Sequence, residues 1–215
     1  MDSKTIMLLA EGLRETVYMT LVSTFLGYVI GLPVGILLTV TDKDGIKPNA
    51  FIYRILDVII NIMRSIPFLI LLIPFTRFLV GKSYGTTATI VPLVVSAAPY
   101  IARMVESSLK EVDAGVIEAA RSMGASNWTI VFRVLLVEAK TSLIVGATIT
   151  LGTILGYSAM AGTVAGGGLG DLAIQYGYYR WRTDIMLMTV ALLVILFQIF
   201  QMIGMKLASV LDHRK

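Results

Sequence analysis

Apolar residues in this chain gather into long uncharged runs, and the length of those runs is the first thing to weigh. A helix needs about 20 apolar residues to cross a hydrocarbon core of roughly 30 Å. Four runs reach that length: 16–41, 83–102, 141–170 and 185–205, the third longer than one crossing requires. A fifth, 55–76, is interrupted by Asp57 and Arg64, yet its stretch "SIPFLILLIPF" has no reason to sit in water. The expectation is an all-α membrane protein, one transmembrane domain over 1–215, with five spans at about 16–41, 55–78, 84–104, 141–163 and 185–207. The polar stretch at about 106–138 lies between the third and fourth spans.

Composition agrees, with 56% hydrophobic and 15% charged residues, a balance that leaves no separate water-soluble core. The net charge of +4 does not point to nucleic acid, because Lys and Arg are scattered between apolar runs and form no basic stripe. They read as topology signals. Lys43, Lys47, Arg54, Arg103, Lys110, Arg121, Arg133, Lys140, Lys206, Arg214 and Lys215 flank one side of the spans; Lys4, Arg14, Arg77, Lys82, Arg180 and Arg182 flank the other. Positive loops stay cytoplasmic, which places the N-terminus outside and the C-terminus and the 106–138 loop in the cytoplasm. Asp2, Glu11 and Glu15 precede the first run, so no cleavable signal peptide is expected and the first span serves as its own insertion signal. With no cysteine, disulfides and thiolate metal sites are excluded.

Several positions inside the spans carry candidate chemistry. Gly27 and Gly31 form a GxxxG, followed by Pro33 and Gly35, a pattern expected to serve close helix packing within one subunit. Asp57, Asn61 and Arg64 share one helix face, and Arg64, near a helix start, is expected to snorkel to the cytoplasmic interface beside Asp57. Gly162, Gly166, Gly167, Gly168 and Gly170 suggest a chain turn at the outer face more than an anion-binding nest. Tyr176, Tyr178, Tyr179 and Trp181, beside Arg180 and Arg182, have the composition of a headgroup-level belt. "GKS" at 81–83 is not a phosphate loop, since Thr76 stands where that motif needs its first glycine. His213 has no partners in sequence, and no catalytic or metal-binding constellation is expected.

The polar loop holds the sharpest signal. Asp113 is placed to cap a helix over 114–123, and Gly124 to end it in a left-handed conformation, giving helix, turn, helix. The first helix, roughly 15 Å long, can lie along a membrane surface but cannot cross. Glu118-Ala119-Ala120 followed by Gly124, on the cytoplasmic side between two spans, resembles the EAA motif of type I ABC importer permeases. One departure is that Val137 follows Leu136 where the family pattern closes on Leu-Pro. "MRSIPFLILL" at 63–72 is similar to the Arg-x-x-Pro segment of amino-acid permeases, and "GYSAMAGTVAGGGLGDLAIQYGYYRW" at 156–181 to the methionine-importer branch, whose subunit also has five spans.

The resemblance implies a type I importer permease fold in the bacterial plasma membrane, working as a homodimer with two ATP-binding-cassette ATPase subunits and an extracytoplasmic binding protein. ATP and Mg would then act through the ATPase, with no cofactor held by this chain and no enzyme activity of its own. It assigns Glu118, Ala119, Ala120, Arg121, Gly124 and Ala125 to ATPase coupling, and position marks Gly156, Ser158, Met160 and Gly162 as gate candidates. Alternating access across a two-fold axis fits too, since five helices alone do not readily enclose a solute path. The implied cargo is methionine; another small amino acid or a metal chelate, an ion-coupled carrier, and a scaffold that moves nothing stand as the other readings.

Overall fold

The computed structural model describes residues 3–67, 76–78, 80–82 and 84–212, and among them every regular element is helical. Helix α1 (Ser3–Thr41) starts well ahead of the expected span. It leads into a short polar loop and α2 (Ala50–Ser65), capped by Asn49, whose side chain accepts from the Ile52 N–H. Then come α3 (Thr86–Lys110), α4 (Ala114–Ser122), α5 (Lys140–Ala161), the short α6 (Gly168–Leu172) and α7 (Thr183–Leu211). Helices α1, α3 and α7, and the stretch Lys140–Tyr178 that opens with α5, are long and apolar enough to cross a membrane. Helix α2 is not: its 16 residues make about 24 Å at 1.5 Å per residue. The remainder of the expected second span lies largely outside the described residues, as do His213 and Ser83 of "GKS".

Helix α3 is the centre of the bundle, with Leu93, Ile101, Ala102, Val105 and Leu109 buried between α1, α2 and α5. Helix α1 lies against it through the glycine stripe. A Cβ at Gly31 would stand 2.7 Å from the Ala98 carbonyl oxygen, and one at Gly35 2.6 Å from that of Ala102, so the backbones meet where any side chain would hold them apart. The GxxxG therefore packs within the subunit, as expected. Buried hydroxyls on α1 bond back to carbonyls one turn earlier, Thr16 to Gly12, Thr24 to Thr20 and Thr39 to Gly35, which lets polar residues sit in an apolar interior. Helix α7 is peripheral. Its Leu187, Val194, Ile195, Met202 and Ile203 are exposed, a broad apolar surface on a helix long and apolar enough to cross a membrane.

After α5 the chain reverses. Ala165 takes left-handed φ 57°, Gly167 φ 82° and Gly168 φ 77°, so the glycine cluster is a turn as expected. The amides that start α6 are taken within the chain: Gly168 N–H donates to the Glu15 carboxylate and Leu169 N–H to the Thr16 hydroxyl, both at 2.8 Å. Those contacts pin α6 to α1, and the Ala165 carbonyl accepts from Gly85 N–H at 2.9 Å, tying the turn to the start of α3. The long apolar run 141–170 is thus one long helix, α5, plus a return. Beyond it, Tyr178, Tyr179 and Trp181 stand exposed, with Arg180 over the Tyr176 ring at 4.4 Å, a mixed aromatic and cationic fringe.

Candidate coupling loop and solute path

Local sequence builds α4 at both ends. Asp113 Oδ1 accepts from Gly115 N–H at 2.8 Å. At the other end Gly124 (φ 78°) donates to the Arg121 carbonyl at 2.9 Å and Ala125 to that of Ala120 at 3.1 Å, the paired closing bonds of a Schellman motif. Ala125 and Gly124 thereby terminate the helix and turn the chain toward Ser126, which caps the next segment by accepting from Thr129 N–H. Helix, turn, helix is what forms.

The predicted coupling residues divide by the face they occupy. Ala120 is buried among Ile46, Val112, Ile130 and Leu135, so its small side chain lets α4 sit close to its own subunit. Arg121 donates to the Ile46 carbonyl at 2.7 Å and so straps α4 to the loop between α1 and α2. Glu118, Ala119 and Gly124 face outward and are exposed. Three residues that sequence reasoning passed over join that outer face: Met123, Trp128 and Phe132, 81%, 74% and 52% exposed, the two aromatic rings stacked at 5.5 Å. Their i, i+4 aromatic spacing beside a capped polar helix was the signal available in the sequence.

Where the family pattern has Leu-Pro, the return helix instead passes through a π-helical turn at Ile130–Leu135, then Leu136–Glu138, before α5 begins. Wide helical turns of this kind bend a helix without proline.

The four gate candidates on α5 and its exit also separate. Ser158 is buried and donates to the Leu155 carbonyl at 2.8 Å; Gly162 is packed against the backbone of Gly170 and Asp171. Neither opens onto a free surface of the subunit. Met160 is 51% exposed, and a Cβ at Gly156 would meet nothing within 4 Å. These two, with Thr153 and Tyr157, form one face of α5, which borders a cavity of about 270 Å³ also lined by Arg64, Ser96 and Tyr100.

A charge network was not foreseen. Asp57 does not neighbour Arg64; it pairs with Arg103 of α3, supported by Asn61, whose amide bonds both groups at 3.2 Å. Arg103 also bonds buried Glu106 at 2.7 Å, Glu106 bonds Lys110 at 2.8 Å and accepts from the Tyr53 hydroxyl at 3.1 Å, and Lys110 reaches Asp42 at 2.7 Å. The Lys110 ammonium hydrogen-bonded to Asp42 holds that carboxyl below the usual carboxylate range. Arg64, expected near a helix start, occupies the last turn of α2, a full helix length from the cytoplasmic loop assigned by the charge pattern.

With this geometry established, likeness to known proteins becomes informative. Residues 31–214 match the family model for the binding-protein-dependent transport system inner membrane component. The chain is 47% identical over 96% of its length, and 93% of the relative's, to the "Probable D-methionine transport system permease protein MetI" of Vibrio cholerae. It is 56% identical to the D-methionine transport system permease protein MetI of Escherichia coli, over 75% of this chain and 76% of that one. A chain of the MetNI methionine ABC transporter, in inward-facing conformations, superposes with TM-score 0.96 at 51% identity, covering 99% of this chain and 100% of the other. An amino acid ABC transporter crystallised with histidines shares the fold alone, at TM-score 0.74 and 20% identity over 99% of this chain and 96% of that one.

Proposed function

Since the chain belongs to the family of binding-protein-dependent transport system inner membrane components, we propose that it is the subunit through which methionine crosses the membrane in an ATP-driven importer. The observation that carries this reading is the 51% identity, over nearly the whole chain, to a subunit of a methionine ABC transporter. Such a subunit works in our reading as a homodimer, with α2 continuing into the second of five spans, the N-terminus outside and α4 in the cytoplasm. Exposed Glu118, Ala119, Met123, Trp128 and Phe132 offer the ATPase partner a compact apolar surface edged by one carboxylate. Arg121 and Ala120 support that surface from behind, making α4 a rigid lever. ATP and Mg act in the partner, and an extracytoplasmic binding protein delivers the solute. Gly156 and Met160 are the gate residues in this reading, closing against the second copy by alternating access.

Copurification with the ATPase, followed by methionine uptake into proteoliposomes containing the binding protein, tests this. Uptake requires all three parts and ATP, and Gly124→Asp, which disturbs the turn behind α4, abolishes it while the subunit still inserts. Uptake driven by an ion gradient without the ATPase would overturn the reading, and preference for another amino acid would replace the cargo alone.

A further inference from the structure

We propose that the loop between α1 and α2, residues 42–49, carries the movement of α4 to α1 and α2 of the same subunit, and that Arg121 is the positioning residue that makes the loop follow. This rests on the importer reading and adds to it the route by which a push from the ATPase leaves α4.

Helix α4 is joined to α3 through residues 111–113, so α3 follows it through the chain itself. Helices α1 and α2 have no such covalent tie and need a contact. Two contacts meet at Ile46: its carbonyl accepts from the Arg121 guanidinium at 2.7 Å, and its side chain is buried in the same cluster as Ala120, the neighbour of Arg121 on α4. A charged donor makes the stronger kind of hydrogen bond. Beside this joint the loop and the helix stand apart, with a cavity of about 370 Å³ between Asp42, Asp44 and Gly45 on one side and Glu118 and Arg121 on the other. Side chains that do not touch cannot pass on a displacement, so the load there falls on Ile46 and its bond to Arg121.

The loop is stiff enough to pass the movement on. Its backbone is bonded to the last turn of α1, where Asp42 N–H donates to the Leu38 carbonyl at 3.0 Å, Lys47 N–H to that of Val40 at 3.0 Å and Asn49 N–H to that of Thr41 at 2.9 Å. A Cβ at Gly45 would stand 2.5 Å from the Thr39 and Val40 carbonyl oxygens, so the loop folds onto α1 more closely than any side chain allows. Asn49 then caps α2 through the Ile52 N–H. The end of α1, the loop and the start of α2 therefore form one piece. Asp42 extends that piece to Lys110 and, through Glu106 and Arg103, to Asp57 at the middle of α2. Coupling travels through hydrogen-bonded chains and rigid elements of this kind, and the bond from Arg121 is its first link beyond α4.

The test uses the whole transporter, with ATPase and binding protein, in proteoliposomes, and reads ATP hydrolysed per methionine taken up. Arg121→Ala raises that ratio about threefold or more while the ATPase still copurifies with the subunit. A transporter that is merely destabilised loses hydrolysis and uptake together, so an unchanged ratio overturns the proposal. Loss of the ATPase from the complex overturns it too, because Arg121 would then be a contact to that partner. Gly45→Ala, which displaces the loop from its other side, gives a rise of its own, and the double variant is no worse than the worse single one; effects that multiply overturn a shared route. If these variants do not insert, spin labels decide with Arg121 intact, since the chain has no cysteine of its own. Labels at Lys47→Cys and Ser122→Cys read the distance from loop to α4: the same distance in nucleotide-free and ATP-bound complexes supports the proposal, and a changed one overturns it. Should the wild type take up no solute with ATP, the importer reading fails, and the same labels in the subunit alone judge the strap. A distance distribution broadened by Arg121→Ala supports it, and an unchanged one overturns it.

Discussion

The middle and the far end of α2 carry opposite solutions to the same problem. At its middle, Asp57 is neutralised by Arg103, and the pair continues through Glu106 and Lys110 to Asp42, so that five charges from three segments hold one another. At its far end, Arg64 borders a cavity without a counter-charge among the described residues. Seven residues separate the two, on one helix face. The difference teaches that charge in the bundle is built in two ways: as a lock that fixes α2 and the α1–α2 loop against α3, and as a group left without an ion pair among the described residues.

Breaking the lock at its buried centre has the largest effect. Glu106→Ala leaves Arg103 and Lys110 each short of a partner and the Tyr53 hydroxyl without its acceptor, and costs about 3 kcal/mol, near the lower end for a broken buried pair. Thermal unfolding in detergent measures it; a change under about 0.5 kcal/mol would remove the lock from the description. Asp57→Asn, nearer the surface and helped by Asn61, costs about 1 kcal/mol in the same assay, the scale of one net hydrogen bond.

A smaller effect distinguishes the outer link. The Asp42 carboxyl titrates below its ordinary value, so its contribution is fully present above the unfolded carboxylate pKa and is lost as pH falls through the folded one. Melting temperature followed from neutral to acid pH should therefore decline less steeply in Asp42→Asn than in wild type; identical slopes would mean that Lys110 does not stabilise the ionised form. The smallest change sharpens the contrast from the other end. Arg64→Met breaks no pair, so its melting temperature stays within the equivalent of about 0.5 kcal/mol of wild type, and a large loss of stability would show that Arg64 is structural.

Much of this was legible before any coordinates. Asp113 and Gly124 bound α4 because capping is decided by a few adjacent residues, and both ends form as the local pattern requires. The glycine stripe of α1 was legible for the same reason: spacing alone puts Gly27 and Gly31 on one face. Asp57 was assigned to Arg64 because helical spacing offers only neighbours on the same helix; Arg103, 46 positions away, becomes a neighbour only once α2 packs on α3. Trp128 and Phe132 were overlooked because the polar loop was read for its motif and not for the side chains beyond it.

By itself, then, the sequence determined the helical membrane class, the long apolar runs, the capped α4 and the family, because these depend on run length, local capping and residue identity. Only the tertiary structure decided that Ser158 and Gly162 turn inward while Gly156 and Met160 turn outward, that Arg121 is a strap, and that Arg64 borders a cavity. The rotation of a helix about its own axis is set by what packs on it, and on helices apolar nearly all round, such as α1 and α5, no amphipathic stripe announces that choice in advance.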